Sequence, residues 1–184
     1  MPVKSDRWII EMCEKHEMIK PFEREQVRSG ISYGVSSYGY DISLSNKFKI
    51  PRTDEIEYID PRGSSQDLFE DVEADSILIP AGSYALAQTR EYFKIPREVV
   101  TICFGKSTYA RSGIFVNVTP FEPEWEGFAT ISIANTAPLP VKVYANQGIA
   151  QLLFLEANEV CLVSYADKKG KYQAQATITT SKSD

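Results

Sequence analysis

Beyond residue 21 the chain never sustains a helical period. What recurs instead is a short run of alternating apolar and polar residues, at 47–50, 76–79, 83–87, 99–104, 113–118, 128–135, 141–144 and 149–155. Pro51, Pro61, Pro80, Pro96, Pro120, Pro138, Pro140 and Gly148 punctuate these runs. A period of two is what a strand with one buried face requires, and proline or glycine between runs turns the chain. Many such strands at close spacing predict a mainly β fold, a barrel or a jelly-roll-like sandwich. The exception is residues 5–17, where Ser5 or Asp6 can cap a helix and Trp8, Ile9, Met12 and Cys13 recur at helical spacing.

At 184 residues the chain fits one domain, 1–184, able to bury roughly 70% of its unfolded surface without a disulfide or metal staple. No internal repeat or linker interrupts it. Residues 66–75 read as an acidic, solvated loop, because charge runs usually face water. The polar tail, 168–184, is expected to be mobile or to order over a ligand.

Charge and ligand inventory exclude several functions. The net charge of −5 gives no global basic field of the kind that holds nucleic acid, so an anionic ligand needs a local donor cluster. No apolar run approaches the ~20 residues of a membrane span. Cys13, Cys103 and Cys161 are widely spaced, and no secretory pattern stands at the start, so a cytoplasmic protein with reduced thiols is expected. His16 is the one histidine and there is no C-x-x-C, too few ligands for zinc. A hydrated Mg²⁺ riding on a bound polyphosphate remains open, since it needs few protein ligands.

Four stretches carry chemistry. "GKSTYARSG", residues 105–113, packs Lys106, Ser107, Thr108 and Arg111 between two glycines. Ammonium, hydroxyl, backbone N–H and guanidinium donors are what a polyphosphate requires, although the spacing is not a P-loop and a basic turn reads the same way. "VTPFEPEWEG", residues 118–127, sets Glu122, Glu124 and Glu126 around Trp125. It is either a carboxylate-bearing site loop or an exposed acidic loop whose tryptophan plugs the barrel end. "ISYGVSSYGYD", residues 31–41, is a turn into a strand, a subunit contact or a ligand wall. In "WEGFATISIAN", residues 125–135, Ala129, Ile131 and Ile133 form a core face. The opposite face, Phe128, Thr130, Ser132 and Ala134, is small and weakly polar, which leaves room for something to pack against it.

These segments, with "SDRWI", "EYFKIPREV", "PLPVKVYANQGIAQLLF" and "SYADKKGKYQ", resemble the dCTP deaminase family, which shares its fold with the trimeric dUTP diphosphatases. The resemblance spans nearly the whole chain. It implies a distorted β-barrel subunit, a homotrimer with active sites between neighbouring chains, and zinc-independent hydrolytic deamination of dCTP to dUTP. Lys106, Ser107, Thr108 and Arg111 would hold the triphosphate with its Mg²⁺, and Tyr109 and Ala110 between them would also be substrate-binding. Glu122 would lie near the deoxyribose, and backbone groups at Thr130 and Ile131 near the pyrimidine. Gln151, Tyr165, Lys171 and Gln175 would complete the phosphate end, the last two from a closing C-terminal segment.

In one respect the chain departs from the family it resembles. The family's general acid/base is a glutamate on the strand after Trp-x-Gly, and the matching position here is Ser132. A serine hydroxyl is far too weak a base, and losing such help costs about 10²–10⁴ in rate. The resemblance also implies an arginine where Ser43 stands, and glycines at Ala174 and Thr177. Three functions are therefore expected to compete: deamination with Glu122 or Glu124 acting through water, dUTP or dNTP diphosphohydrolysis using Glu122, and a silent nucleotide-binding regulator.

Overall fold

The computed structural model describes residues 2–52, 57–62 and 68–182. It opens with helix α1, Asp6–His16, which buries Ile9 and Cys13. Asp6 in the first turn and Lys15 and His16 in the last complement the helix dipole. Glu17 ends it in the left-handed region (φ 51°), its N–H returning to the Cys13 carbonyl.

The remainder is antiparallel sheet. Strands β1 (Ile19–Lys20), β2 (Gly34–Ser36), β3 (Gly39–Pro51), β4 (Phe69–Glu73), β5 (Ser76–Ile79), β6 (Tyr84–Lys94), β7 (Val99–Gly105), β8 (Ile114–Asn117), β9 (Glu126–Asn135), β10 (Val141–Tyr144) and β11 (Gly148–Glu156) follow in order, with a four-residue helix α2, Ser107–Ala110, after β7. The main sheet runs β7-β11-β3-β6-β9-β8 and curls into a nearly closed barrel; β10 pairs with β5 in a second, two-stranded sheet. The mainly β architecture expected from the alternating runs is therefore present.

The alternation of β9 is complete. Gly127, Ala129, Ile131, Ile133 and Asn135 are buried, and the residues between them are half-buried. Ile131 and Ile133 meet Ile42, Leu44, Leu152 and Phe154 in the core. Trp125 closes one end, its ring 4.7 Å from Phe121, which in turn lies 5.2 Å from Phe93.

Several segments depart from the sequence reading: β1 and β2 lie outside the alternating runs, and β6 continues past residue 87 to Lys94. Within residues 66–75, expected as a loop, Phe69–Glu73 is a strand paired with the end of β3 from Lys47↔Glu73 to Pro51↔Phe69; residues 66 and 67 lie outside the described residues. Phe69 is buried while Glu70, Asp71 and Glu73 face water, so the charge run is the solvent side of a strand. The first half of β3 shows no alternation because Gly39 to Leu44 is buried on both faces; its start is the strand into which the turn of residues 31–41 leads.

Candidate functional site

The small face of β9 lines a cavity of about 500 Å³. Thr130 and Ser132 form part of its floor, with Leu86 from β6 and Asn117 from β8. The ladder explains their meeting: Ser132 stands opposite Leu86 on one side and opposite Asn117 on the other. Phe121 and Trp125 make an apolar wall, and Glu122 is the acidic side chain among the lining residues.

The rim is tied together by charge. Lys168 Nζ donates to Glu122 Oε2 at 2.5 Å and lies over the Tyr165 ring. Arg97 donates to Glu124 (2.6 Å), to Asp167 (2.8 Å) and to the carbonyls of Cys161 and Leu162, so one guanidinium joins two loops. The Ser164 N–H and then Arg97 hold the Asp167 carboxyl below its ordinary range.

The C-terminal segment covers this pocket in the same chain. Trp125 Nε1 donates to the Tyr172 carbonyl at 2.9 Å, and Gln175 Nε2 donates to the Phe128 carbonyl (2.8 Å) and to Thr130 Oγ1 (2.6 Å). Thr179 N–H also donates to Thr130 Oγ1 (3.0 Å), and Thr179, Thr180 and Ser181 complete the lining. Gly127 permits the crossing: a Cβ there would come within 2.8 Å of the Gln175 nitrogen.

The basic cluster sits elsewhere. Ser107, Thr108 and Arg111 are exposed on and just after α2. Lys106 Nζ is 2.5 Å from Asp41 Oδ2, and Gln151 Nε2 is 3.2 Å from Asp41 Oδ1. Of the residues singled out from sequence, Ser132, Glu122, Thr130, Tyr165 and Gln175 meet at the pocket, whereas Lys106, Ser107, Thr108, Arg111 and Gln151 do not line it. Tyr109 is buried, its hydroxyl accepting the Tyr144 N–H, so ligand contact at Tyr109 and Ala110 reduces to backbone and methyl. Ile131 is fully buried in the core, which likewise leaves only its backbone. Lys171 Nζ donates to the Lys182 carbonyl.

Sequence reasoning gave no role to Asn117, Lys168, Tyr172, Thr179 or Asp41. Asn117 follows from the β8–β9 register, which no local pattern displays. Asp41 did carry a signal, as a lone acid in a glycine- and tyrosine-rich run. Among the described residues no group of three or more His, Cys, Asp or Glu side chains is placed to hold a metal, and no helix is long and apolar enough to cross a membrane.

Comparison with known proteins places this architecture. A family model described as dCTP deaminase-like matches residues 3–157. A dCTP deaminase of Acidithiobacillus ferrooxidans is 57% identical over 187 residues, 99% of this chain and 100% of that one. One of Acidobacterium capsulatum is 59% identical over 183 residues, 99% and 100% of the two chains. One of Legionella pneumophila is 56% identical over 184 residues, 97% and 98%. The crystal structure of 2'-deoxycytidine 5'-triphosphate deaminase from Agrobacterium tumefaciens matches with a TM-score of 0.64 at 14% identity, a likeness of fold. That match covers 83% of this chain, which spans about half (47%) of the Agrobacterium protein. With a family model over most of its length and relatives more than half identical from end to end, the chain belongs to the dCTP deaminase-like family.

Proposed function

We propose that the protein hydrolyses dCTP to dUTP and ammonia, as one unit over residues 1–184 that works in cytoplasmic deoxynucleotide metabolism. The observation that carries this is identity above 55%, over essentially the whole of both chains, to proteins named dCTP deaminase. The site is compatible with it. A cavity of about 500 Å³ with an aromatic wall and a few polar groups suits a nucleoside.

In this reading water adds across the C4–N3 double bond, its oxygen to C4 and one proton to N3; the second proton then passes from the new hydroxyl to the amino group, the C4–N bond breaks, and ammonia leaves a C4 carbonyl. No zinc takes part, so a side chain must move the proton, and Glu122 is the acidic candidate on the pocket wall. Ser132 and Asn117 are neutral groups able to hydrogen-bond the base edge or the water. Lys106, Ser107, Thr108 and Arg111 hold the triphosphate, which carries its own Mg²⁺, with Gln151, Tyr165, Lys171 and Gln175 at the same end. Because the donor cluster does not line its own chain's pocket, the reading includes a homotrimer in which one copy's donors serve its neighbour's pocket.

One observation favours a second reading. β9 presents a hydroxyl at Ser132 where a strand carboxylate would move the proton, which suits a dUTP or dNTP diphosphatase using Glu122, or a silent nucleotide-binding regulator. Product analysis separates them. Protein with Mg²⁺ is incubated with dCTP and with dUTP, and nucleotides, ammonia and pyrophosphate are quantified. Ammonia with dUTP is the expected outcome. Ser132→Glu should then raise its release about a hundredfold or more, on the usual worth of a general acid/base. Pyrophosphate with a monophosphate makes it a diphosphatase, and tight binding with no product makes it a regulator.

A further inference from the structure

We propose that Asp41 is a positioning residue for the polyphosphate end of the site, acting through Lys106 and Gln151. The proposal rests on the reading that this cluster receives the triphosphate. Asp41 lies on β3 directly opposite Gln151 of β11, and its side chain is only 4% exposed. Three side-chain donors from distant parts of the chain converge on it. Oδ2 accepts from Lys106 Nζ at 2.5 Å and from Gln26 Nε2 at 3.0 Å, and Oδ1 accepts from Gln151 Nε2 at 3.2 Å. A buried carboxylate is tolerated only when its lone pairs are answered in this way, so the three donors and the acid form one unit.

The unit sets the orientation of both partners. An ionised carboxylate only accepts hydrogen bonds, so it obliges Gln151 to turn its amide nitrogen inward, where Ser36 Oγ is a second partner at 3.2 Å. The Gln151 amide oxygen is therefore the pole turned away from the acid, without a hydrogen-bond partner among the described residues. Lys106 spends one N–H on Asp41 and retains two for phosphate oxygens. Its stem runs past Gly148, where a Cβ would approach the Lys106 Cδ to 3.0 Å. The ammonium is thus held by the acid at its tip and by close packing along its stem, 13% exposed, at the start of α2. A lysine free in solvent would lose its rotamer freedom on binding the anion, whereas this one has lost it on folding.

A merely structural ion pair and a positioning pair differ in one measurable respect, the coupling between Asp41 and Lys106 in ligand affinity. Binding of dCTP and of inorganic tripolyphosphate is titrated for the wild type, Lys106→Ala, Asp41→Ala and the double variant, with Asp41→Asn as the shape-conserving partner should Asp41→Ala fold poorly. Lys106→Ala is expected to weaken binding about tenfold or more. Asp41→Ala, or Asp41→Asn, is expected to weaken it severalfold in the wild-type background and by a distinctly smaller factor in the Lys106→Ala background, where only the route through Gln151 is left. Multiplicative losses in the double variant would overturn the proposal, since Asp41 would then act independently of Lys106. Tighter binding in Asp41→Asn would also overturn it, because repulsion of the anion by the acid would outweigh any positioning. An unchanged affinity in Lys106→Ala would sink the phosphate reading of the cluster and the positioning role with it.

Discussion

Glu91 is 1% exposed, in the irregular part of the β6–β9 pairing between Gln88 and Tyr92. Its carboxyl takes a 2.6 Å hydrogen bond from Ser43 Oγ and 3.1 Å bonds from the Ser43 N–H, and among the described residues it forms no salt bridge. Burial pushes its pKa from 4.5 up to about 7, against the smaller opposing pull of the Ser43 donors. The folded value lies above the unfolded one, so the favourable contribution is complete below pH 4.5 and is lost as pH rises through 7. Glu91→Gln should remove this dependence. Thermal melts should coincide near pH 4.5, while at pH 8 the variant should be more stable, by up to about 3 kcal/mol. Parallel stability profiles for the two proteins across that range would show that Glu91 does not titrate there. The resemblance suggested an arginine at Ser43, yet nothing in the sequence placed Ser43 against Glu91, 48 residues away. At Ser132 the reverse holds. The period of two alone assigned it to the small, weakly polar side of β9, and the structure puts it on the cavity floor.

Among the elements, the C-terminal segment shows how backbone detail controls docking. It crosses the start of β9 as an isolated parallel bridge between Gly127 and Gln175. Ala174 N–H donates to the Glu126 carbonyl at 3.0 Å, and Phe128 N–H donates to the Gln175 carbonyl at 2.9 Å. Gly127 has φ 145° and no space for a Cβ, whereas Ala174 occupies the left-handed region at φ 54° despite having one. The two positions should respond in opposite directions. Gly127→Ala introduces strain of about 1–3 kcal/mol and should loosen the segment, speeding tryptic cleavage after Lys171 about tenfold or more. Ala174→Gly releases strain and should slow it. Equal cleavage rates in all three proteins would mean that this crossing does not govern docking. Composition suggested only a polar tail that orders over something; the partner surface is formed by residues some fifty positions earlier, such as Phe128 and Thr130.

For the whole molecule, β7 and β8 stand at the two ends of the main sheet and carry exposed aromatic side chains, Phe104 at 59% and Phe115 at 62%, with Ile102 beside Phe104 on β7. Exposed apolar groups on sheet-end strands invite another chain, and they support the trimer proposed above. Phe104→Glu should convert the assembled protein to a monomer in sedimentation velocity and, if neighbouring copies share each site, reduce turnover a hundredfold or more. A variant that remains assembled and active would remove this face from the interface.

Side-chain alternation along a strand and the spacing of a helix are local properties of a few neighbouring residues. The sequence by itself therefore determined α1, most of the strands, the core face of β9 and the donor-rich character of residues 105–113. Strand register and topology are non-local, chosen by the burial of whole faces and the satisfaction of backbone groups. Only the tertiary structure could set Asn117 against Ser132, bring Lys106 and Gln151 onto Asp41 across 65 and 110 residues of chain, and separate that cluster from the pocket.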